Sequence, residues 1–334
     1  MAFQMVLNRY LPSLQDCRDL IVTDLKKTPD TAILAEYLQG GKMFRALLAF
    51  MAADAIGIEL AMMVPIASAL ELLHGASLIH DDIVDNAKER RGHLALHVQV
   101  GIGPALILGD YLMLRSFTVL RQSRNIFGLQ RVAEASNTLN SYAQACCLGE
   151  LRGLTAASAG DREDEYVRIA EGKTASQFAA SVTVPAILGG GTQEEIEALR
   201  TYGLNLGIAF QIHDDVLDVD EDTEPRQQSD ARARLHQRLG LPLLYLERYG
   251  SPTAMQQYRQ IMETENGRQG QLGVLLREEG IIDRIQKTQA QYVSAALQAL
   301  DSLRTSEART HLGLLASYAV DHRTYIPKSL DCNA

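Results

Sequence analysis

The sequence predicts an all-α protein, a single-domain bundle of about ten or more helices around a central cavity. Three observations predict it: apolar residues recur at helical spacing along nearly the whole chain, helix-start signals stand where new apolar stretches begin, and helix breakers are sparse. On the first, Leu70, Leu73, Ser77 and Leu78 fall at steps of three and four, which puts them on one helix face. On the second, "TQEE" at 192–195 reads as a capping box, and "SPTA" at 251–254 places Ser at a cap and Pro in the first helical turn. On the third, nine prolines in 334 residues leave room for long helices, and "GGG" at 189–191 marks a turn between two of them. No change of composition or low-complexity linker divides the chain. Residues 1–334 are therefore expected to form one domain, with the motifs concentrated in 40–220.

Composition narrows the function. At 46% hydrophobic and 22% charged residues the chain is an ordinary globular one. A net charge of −9 opposes nucleic acid and anionic membrane as partners, since both select basic surfaces. Apolar runs such as "ALLAFMAA" at 46–53 stop well short of the roughly 18 residues that span a bilayer. The opening "MAFQMVLNRY" lacks the basic start and apolar block of a secretion signal. The expectation is a cytoplasmic protein, not integral to a membrane. Cys17, Cys146, Cys147 and Cys332 have no metal-ligand spacing and are expected to be small buried residues.

Two stretches nearly repeat each other: "IHDDIVD" at 79–85 and "IHDDVLD" at 212–218 share five of seven positions, while the residues before them differ. The likeness is confined to the acids. On a helix His74, Asp81 and Asp85 share a face, as do Asp214 and Asp218, with Gln211 one turn earlier. Like charges at i and i+4 cost about 0.2–0.5 kcal/mol per pair, and each motif adds a third carboxylate. These acids close strongly apolar helices, so a cation is needed to offset them. Oxygen-only ligands suit Mg²⁺, which takes one or two carboxylates and completes its shell with water and phosphate oxygens. A phosphate ester is the expected ligand. Basic residues to meet it occur in two sets, Lys88, Arg90 and Arg91 in "AKERRG" and Lys42 and Arg45 in "GGKMFR", which points to two phosphorylated substrates.

The segments "GGKMFR", "HGASLIHDDIVDNAKERRG", "GDYL" at 109–112, "EGKTAS" at 171–176 and "FQIHDDVLD" resemble, in order, the motifs of the trans-isoprenyl diphosphate synthases, the polyprenyl synthetase family. "LPLLY" at 241–245 and "LASYAVDHR" at 315–323 resemble its later segments. The resemblance implies a helical, homodimeric enzyme that joins an allylic diphosphate to isopentenyl diphosphate on Mg²⁺. It implies metal ligation by Asp81, Asp85, Asp214 and Asp218, with Asp82 and Asp215 supporting. It assigns Lys42, Arg45, His74 and Arg91 to isopentenyl diphosphate, and Arg90, Lys173, Thr174 and Gln211 to the allylic substrate. No side-chain base is required, because the family's usual proposal gives the final proton to the released diphosphate.

The chain departs from the family pattern in places. Met43 and Ala46 replace the usual Arg and Pro of the first basic motif. In "DEDTEPRQQSDARARLHQRLGLPLLY", Gln228 stands where a loop Lys is expected and Arg238 where a second is; Arg226, Arg232 and Arg234 are the candidate substitutes. A terpene cyclase of the same fold would ionise one diphosphate and would not keep Lys42, Arg45, His74 and Arg91 together. A noncatalytic subunit would be free to lose acids that this chain retains. Ala76, five residues before Asp81, is small where an aromatic floor would stop a growing chain early. Products of twenty or more carbons are expected.

Overall fold

The computed structural model describes residues 2–155, 162–219, 240–263 and 268–319. Its architecture is the expected all-α bundle, with sixteen α-helices among the described residues. The site is framed by α1 (Ala2–Leu25), α2 (Ala32–Tyr37), α3 (Phe44–Ile56), α4 (Leu60–Val84), α5 (Leu96–Val100), α6 (Ile102–Gln122), α7 (Arg124–Phe127), α8 (Leu129–Thr155), α9 (Arg162–Ala170), α10 (Ser176–Gly189) and α11 (Gln193–Leu217). Beyond them lie α12 (Leu241–Tyr249), α13 (Pro252–Glu263), α14 (Arg268–Glu278), α15 (Ile281–Ala299) and α16 (Glu307–Ala319).

The start signals work as the sequence indicates. Thr192 Oγ1 accepts from the Glu195 amide at 3.2 Å while the Glu195 carboxylate accepts from the Thr192 amide at 2.9 Å, closing the capping box of α11. Ser251 Oγ accepts from the Ala254 amide at 3.1 Å and so caps α13. Two hydrophobic cores result. The larger joins α1, α3, α4, α6, α8 and α10 with the first half of α11. The smaller lies around the second half of α11, α12 and α15. A trio of rings, Phe44, Phe178 and Phe210, ties α3, α10 and α11 together with centroids 5.1–5.8 Å apart. Such ring pairs contribute about 0.5–1.5 kcal/mol each beyond their buried area.

Three features differ from expectation. The basic run after the first acidic motif departs from the all-α reading and forms a two-stranded hairpin, Glu89–Arg90 against His93–Leu94. Its two-residue turn puts both Arg91 (φ 54°) and Gly92 (φ 80°) in the left-handed region, the pattern a tight type I′ hairpin turn requires. Secondly, α4 and the stretch Ile102–Phe127 are each long and apolar enough to cross a membrane, which uninterrupted apolar runs had not suggested. The apolar window of α4 is 67% buried inside the protein, so its apolarity belongs to the core; that of Ile102–Phe127 is only 22% buried. Thirdly, the cysteines are not uniformly buried. Cys17 is, but Cys146 is half-buried on a cavity wall and Cys147 is exposed, because consecutive helix residues point about 100° apart. Cys332 lies outside the described residues.

Candidate active site

Both acidic motifs end their helices. Asp85 is the C-cap residue of α4 and Asp218 that of α11, and neither helix has a basic residue in its last turn. The carboxylates of Asp81, Asp82 and Asp85, and of Asp214, Asp215 and Asp218, thus sit at the negative ends of two helix dipoles. Carboxylates are disfavoured there, and a cation is favoured. The donors are all oxygen, the set a hard divalent ion prefers. Among the described residues no three His, Cys, Asp or Glu side chains converge tightly enough to hold an ion by themselves. A hard divalent ion held by one or two carboxylates completes its shell with water and phosphate oxygens.

Within the first cluster the acids differ in role. Asp82 is fully buried and accepts from Tyr37 Oη at 2.8 Å on one oxygen and from Arg90 Nε at 2.8 Å on the other, with Arg90 Nη2 joining the second contact. Its oxygens are spent on fixing Arg90, on the hairpin, to α4. Asp81 is part-exposed and lies 3.9 Å from Lys173 Nζ, and the same ammonium is 2.5 Å from Glu150.

In the second cluster, Thr174 Oγ1 donates to Gln211 Oε1 at 2.6 Å, and Gln211 Nε2 donates to Asp215 Oδ1 at 2.9 Å. The other Asp215 oxygen accepts from the Leu241 amide at 3.2 Å, so "LPLLY" anchors α12 on this acid. Burial pushes the Asp215 carboxyl up to about 6 despite those donors. Lys173 and Thr174 lie on a π-helical turn, Glu171–Ala175, between α9 and α10. Such wide turns recur at functional sites because they re-aim side chains out of helical register.

Of the residues assigned to isopentenyl diphosphate, His74 and Arg91 line one pocket with Arg18, Gly41 and Glu71, whereas Arg45 lines a second cavity and Lys42 lines neither. Arg91 packs against Gly41 so closely that a Cβ there would stand 2.9 Å from Nη1. Arg18 Nη2 donates to the Gly41 carbonyl at 3.3 Å. His74 contacts Gln177 Oε1 through Nδ1 at 3.1 Å, and the Gln177 amide nitrogen reaches Ser77 Oγ at 3.2 Å. The ring therefore donates from Nδ1, since Gln177 presents its oxygen to it. Burial, then the charges of Arg45 and Arg91, hold the imidazole well below its usual pKa and keep it neutral. Arg45 stacks 5.1 Å above the Phe178 ring, and its Nε is buried without a hydrogen-bond partner among the described residues. Burial lowers its pKa, opposed by the charges of Glu71 and Asp214.

Next to this pocket an apolar cavity of about 530 Å³, mouth included, runs past Arg45, Ala76, Ser77 and Cys146 to Leu70, Met113 and Tyr142. His80 lines its edge and lies 3.3 Å from Asp110 of "GDYL".

The structure therefore brings Asp81, Lys173 and Glu150 together on one side, and Thr174, Gln211 and Asp215 together on the other. His74 and Arg91 share a pocket with Arg18 of α1. Gln228, Arg226, Arg232, Arg234 and Arg238 lie outside the described residues. Sequence reasoning missed Glu71, Glu150, Tyr37 and Gln177. Only Glu71 carried a signal, a lone acid inside the apolar run "ASALELLHGASLI". It accepts from the Ala46 amide at 2.9 Å. Ala46 can donate because it replaces the expected Pro. Burial raises the Glu71 carboxyl pKa, and that amide, with Arg45 and Arg91, opposes the rise.

A helical bundle with two aspartate clusters at helix C-termini, a basic pocket and an apolar cavity is the kind of site a metal-assisted enzyme of charged, apolar-tailed substrates needs. Residues 30–278 match the family model for polyprenyl synthetase. Over 285 residues the chain is 30% identical to the octaprenyl diphosphate synthase of Haemophilus influenzae, covering 84% of each chain. Over 289 residues it is 31% identical to the geranylgeranyl diphosphate synthase of Methanosarcina mazei, covering 84% of this chain and 86% of that one. The crystal structure of a polyprenyl synthase from Caulobacter crescentus CB15, complexed with calcium and isoprenyl diphosphate, matches at a TM-score of 0.80 and 28% identity over 96% of this chain and 98% of that one. The chain belongs to the polyprenyl synthetase family. It is a prenyltransferase of that family.

Proposed function

We propose that the protein joins an allylic diphosphate head-to-tail to isopentenyl diphosphate, yielding a trans-polyprenyl diphosphate of twenty or more carbons, with residues 1–334 acting as one domain. One observation carries this reading: an apolar cavity lined by Arg45, Ala76, Ser77 and Gln177 lies along α4, the helix that carries Asp81; its wall residue Gln177 bonds His74, and no large side chain fills the position of Ala76. Mg²⁺ held by Asp81, Asp85, Asp214 and Asp218 together with diphosphate oxygens would stabilise the charge that develops on the leaving diphosphate.

The chain's own groups supply the rest. Lys173 and Arg90 face that diphosphate as fixed cations, Arg90 clamped by Asp82. Thr174, Gln211 and Asp215 form a chain of hydrogen bonds that holds the second cluster against the π-helical turn Glu171–Ala175. Lys42, Arg45, His74 and Arg91 bind the isopentenyl diphosphate, and the Phe44, Phe178 and Phe210 rings exclude water beneath it. Heterolysis of the allylic C–O bond sends its electron pair to diphosphate. The isopentenyl double bond then attacks the allylic carbon, and the departing diphosphate takes the proton.

The protein acts in the cytoplasm as a homodimer. Support for the second copy is the exposed apolar side chains Ile107 and Leu114, seven residues apart on one side of α6, and Leu148 and Leu151, three apart on α8. Incubation with isopentenyl diphosphate and a series of allylic primers, followed by chromatography of the dephosphorylated products, tests the reading. Prenyl alcohols of twenty or more carbons support it, and the absence of any condensation product contradicts it.

A further inference from the structure

Lys173 is held by a carboxylate that belongs to neither aspartate motif. Glu150 Oε2 on α8 lies 2.5 Å from Lys173 Nζ, whereas Asp81 Oδ1 is 3.9 Å from it. The close approach of α8 to the π-helical turn makes this possible. A Cβ on Gly149 would stand 2.3 Å from the Lys173 amide nitrogen, and one on Gly172 would stand 2.7 Å from Gly149 Cα, so the two backbones cross in contact. Glu150 is the next residue after that crossing. One turn earlier on α8, Cys146 Sγ contacts the Lys173 carbonyl at 3.3 Å. Thus α8 fixes both the backbone and the side chain of Lys173.

A lysine has a long flexible stem and a compact charge that moves freely unless held. Of its two acidic contacts, the Lys173 ammonium is nearer to Glu150, at 2.5 Å, than to Asp81, at 3.9 Å, so Glu150 limits how far it can swing.

We propose that Glu150 is a positioning residue that holds Lys173 ready for the allylic diphosphate, so that it sets affinity for the allylic substrate and not for isopentenyl diphosphate. The inference rests on the proposed two-diphosphate reading. Preorganisation is the physical basis, because a charge already in place loses no freedom when substrate binds.

The test uses the full chain with Glu150→Ala, Glu150→Gln, Lys173→Ala and the Glu150→Ala/Lys173→Ala double variant. Steady-state kinetics give KM for each substrate, and calorimetry gives Kd for an unreactive allylic thiolodiphosphate in the presence of Mg²⁺. Glu150→Ala should raise both the allylic KM and this Kd about tenfold and leave the isopentenyl KM within about twofold. Glu150→Gln, which keeps the shape and an acceptor oxygen without the charge, should fall between wild type and Glu150→Ala. The double variant should be no worse than Lys173→Ala alone, because Glu150 acts through Lys173. An unchanged allylic Kd in Glu150→Ala and Glu150→Gln, additive losses in the double variant, or equal rises in both KM values would overturn the inference. A wild type that makes no condensation product would instead overturn the two-diphosphate reading beneath it.

Discussion

Lys173 and Thr174 are neighbours in the chain, yet they reach different aspartate clusters: Lys173 Nζ lies 3.9 Å from Asp81 at the end of α4, and Thr174 Oγ1 donates at 2.6 Å to Gln211, which bonds Asp215 on α11. The wide turn Glu171–Ala175 allows this, since it displaces successive side chains from the helical spiral. One short segment thereby sets the distance between the two halves of the site.

Product length should respond to both walls of the cavity. Ala76 and Tyr142 line it, with Ala76 about 7.5 Å along α4 from Asp81 at 1.5 Å per residue. Ala76→Tyr should shorten the product by filling the space near the mouth, and Tyr142→Ala should lengthen it by opening the far end. Chromatography of dephosphorylated products checks both. Length distributions identical to wild type in two well-folded variants would contradict this placement of the growing chain.

The exposed face of α6 and α8 should be an interface. Ile107 and Leu114 are each 64% exposed and Leu129 74%, an unusual density of open apolar side chains. Sedimentation should give twice the 36.7 kDa chain mass, and Ile107→Asp with Leu114→Asp should shift it to one chain mass, since buried unpaired charge is costly. A wild type that sediments as one chain at micromolar concentration would contradict the homodimer.

Acid should weaken the contact between α1 and α6. Arg115 donates to both Asp24 oxygens at 2.6 Å, and Lys27 adds a third contact at 3.0 Å. Burial alone would raise the Asp24 pKa, but these donors outweigh it and hold the carboxyl below its usual value. A depressed folded pKa means the stabilisation is fully present above about 4, the unfolded value, and is lost as pH falls through the folded one. Asp24→Asn should therefore cost about 3 kcal/mol at pH 7, and the gap to wild type should narrow toward pH 3. Denaturant melts at the two pH values measure it, and a gap that stays constant would show that Asp24 is not the group responsible.

The parts of the site legible in the sequence were those that break a local rule. Three acids closing an apolar helix, written twice, stand out because nothing in helix propensity or burial favours them. The capping box of α11 and the Ser251 cap were equally plain, being local patterns with local partners. What stayed hidden depends on contacts between distant segments. Glu150 looks like any acid on an amphipathic helix until Gly149 and Gly172 bring it against Lys173. Tyr37 reaches Asp82 across 45 positions of sequence. The hairpin carrying Arg90 and Arg91 was obscured because its turn places an arginine at positive φ, where glycine or asparagine is usual. The apolarity of α6 was diluted by polar residues on its other face, so no single run revealed it.

The central claim is that Asp81 and Asp214, on different helices, serve one metal-dependent condensation. The most direct measurement is the steady-state rate of prenyl transfer to isopentenyl diphosphate by wild type, Asp81→Ala and Asp214→Ala, each assayed after chelation and after return of Mg²⁺. Wild type should lose its activity on chelation and recover it with Mg²⁺, while each variant should stay at least about a hundredfold slower at saturating Mg²⁺, the scale of losing one preorganised electrostatic group. Near-normal turnover in either variant, or wild-type turnover that survives chelation, would contradict it.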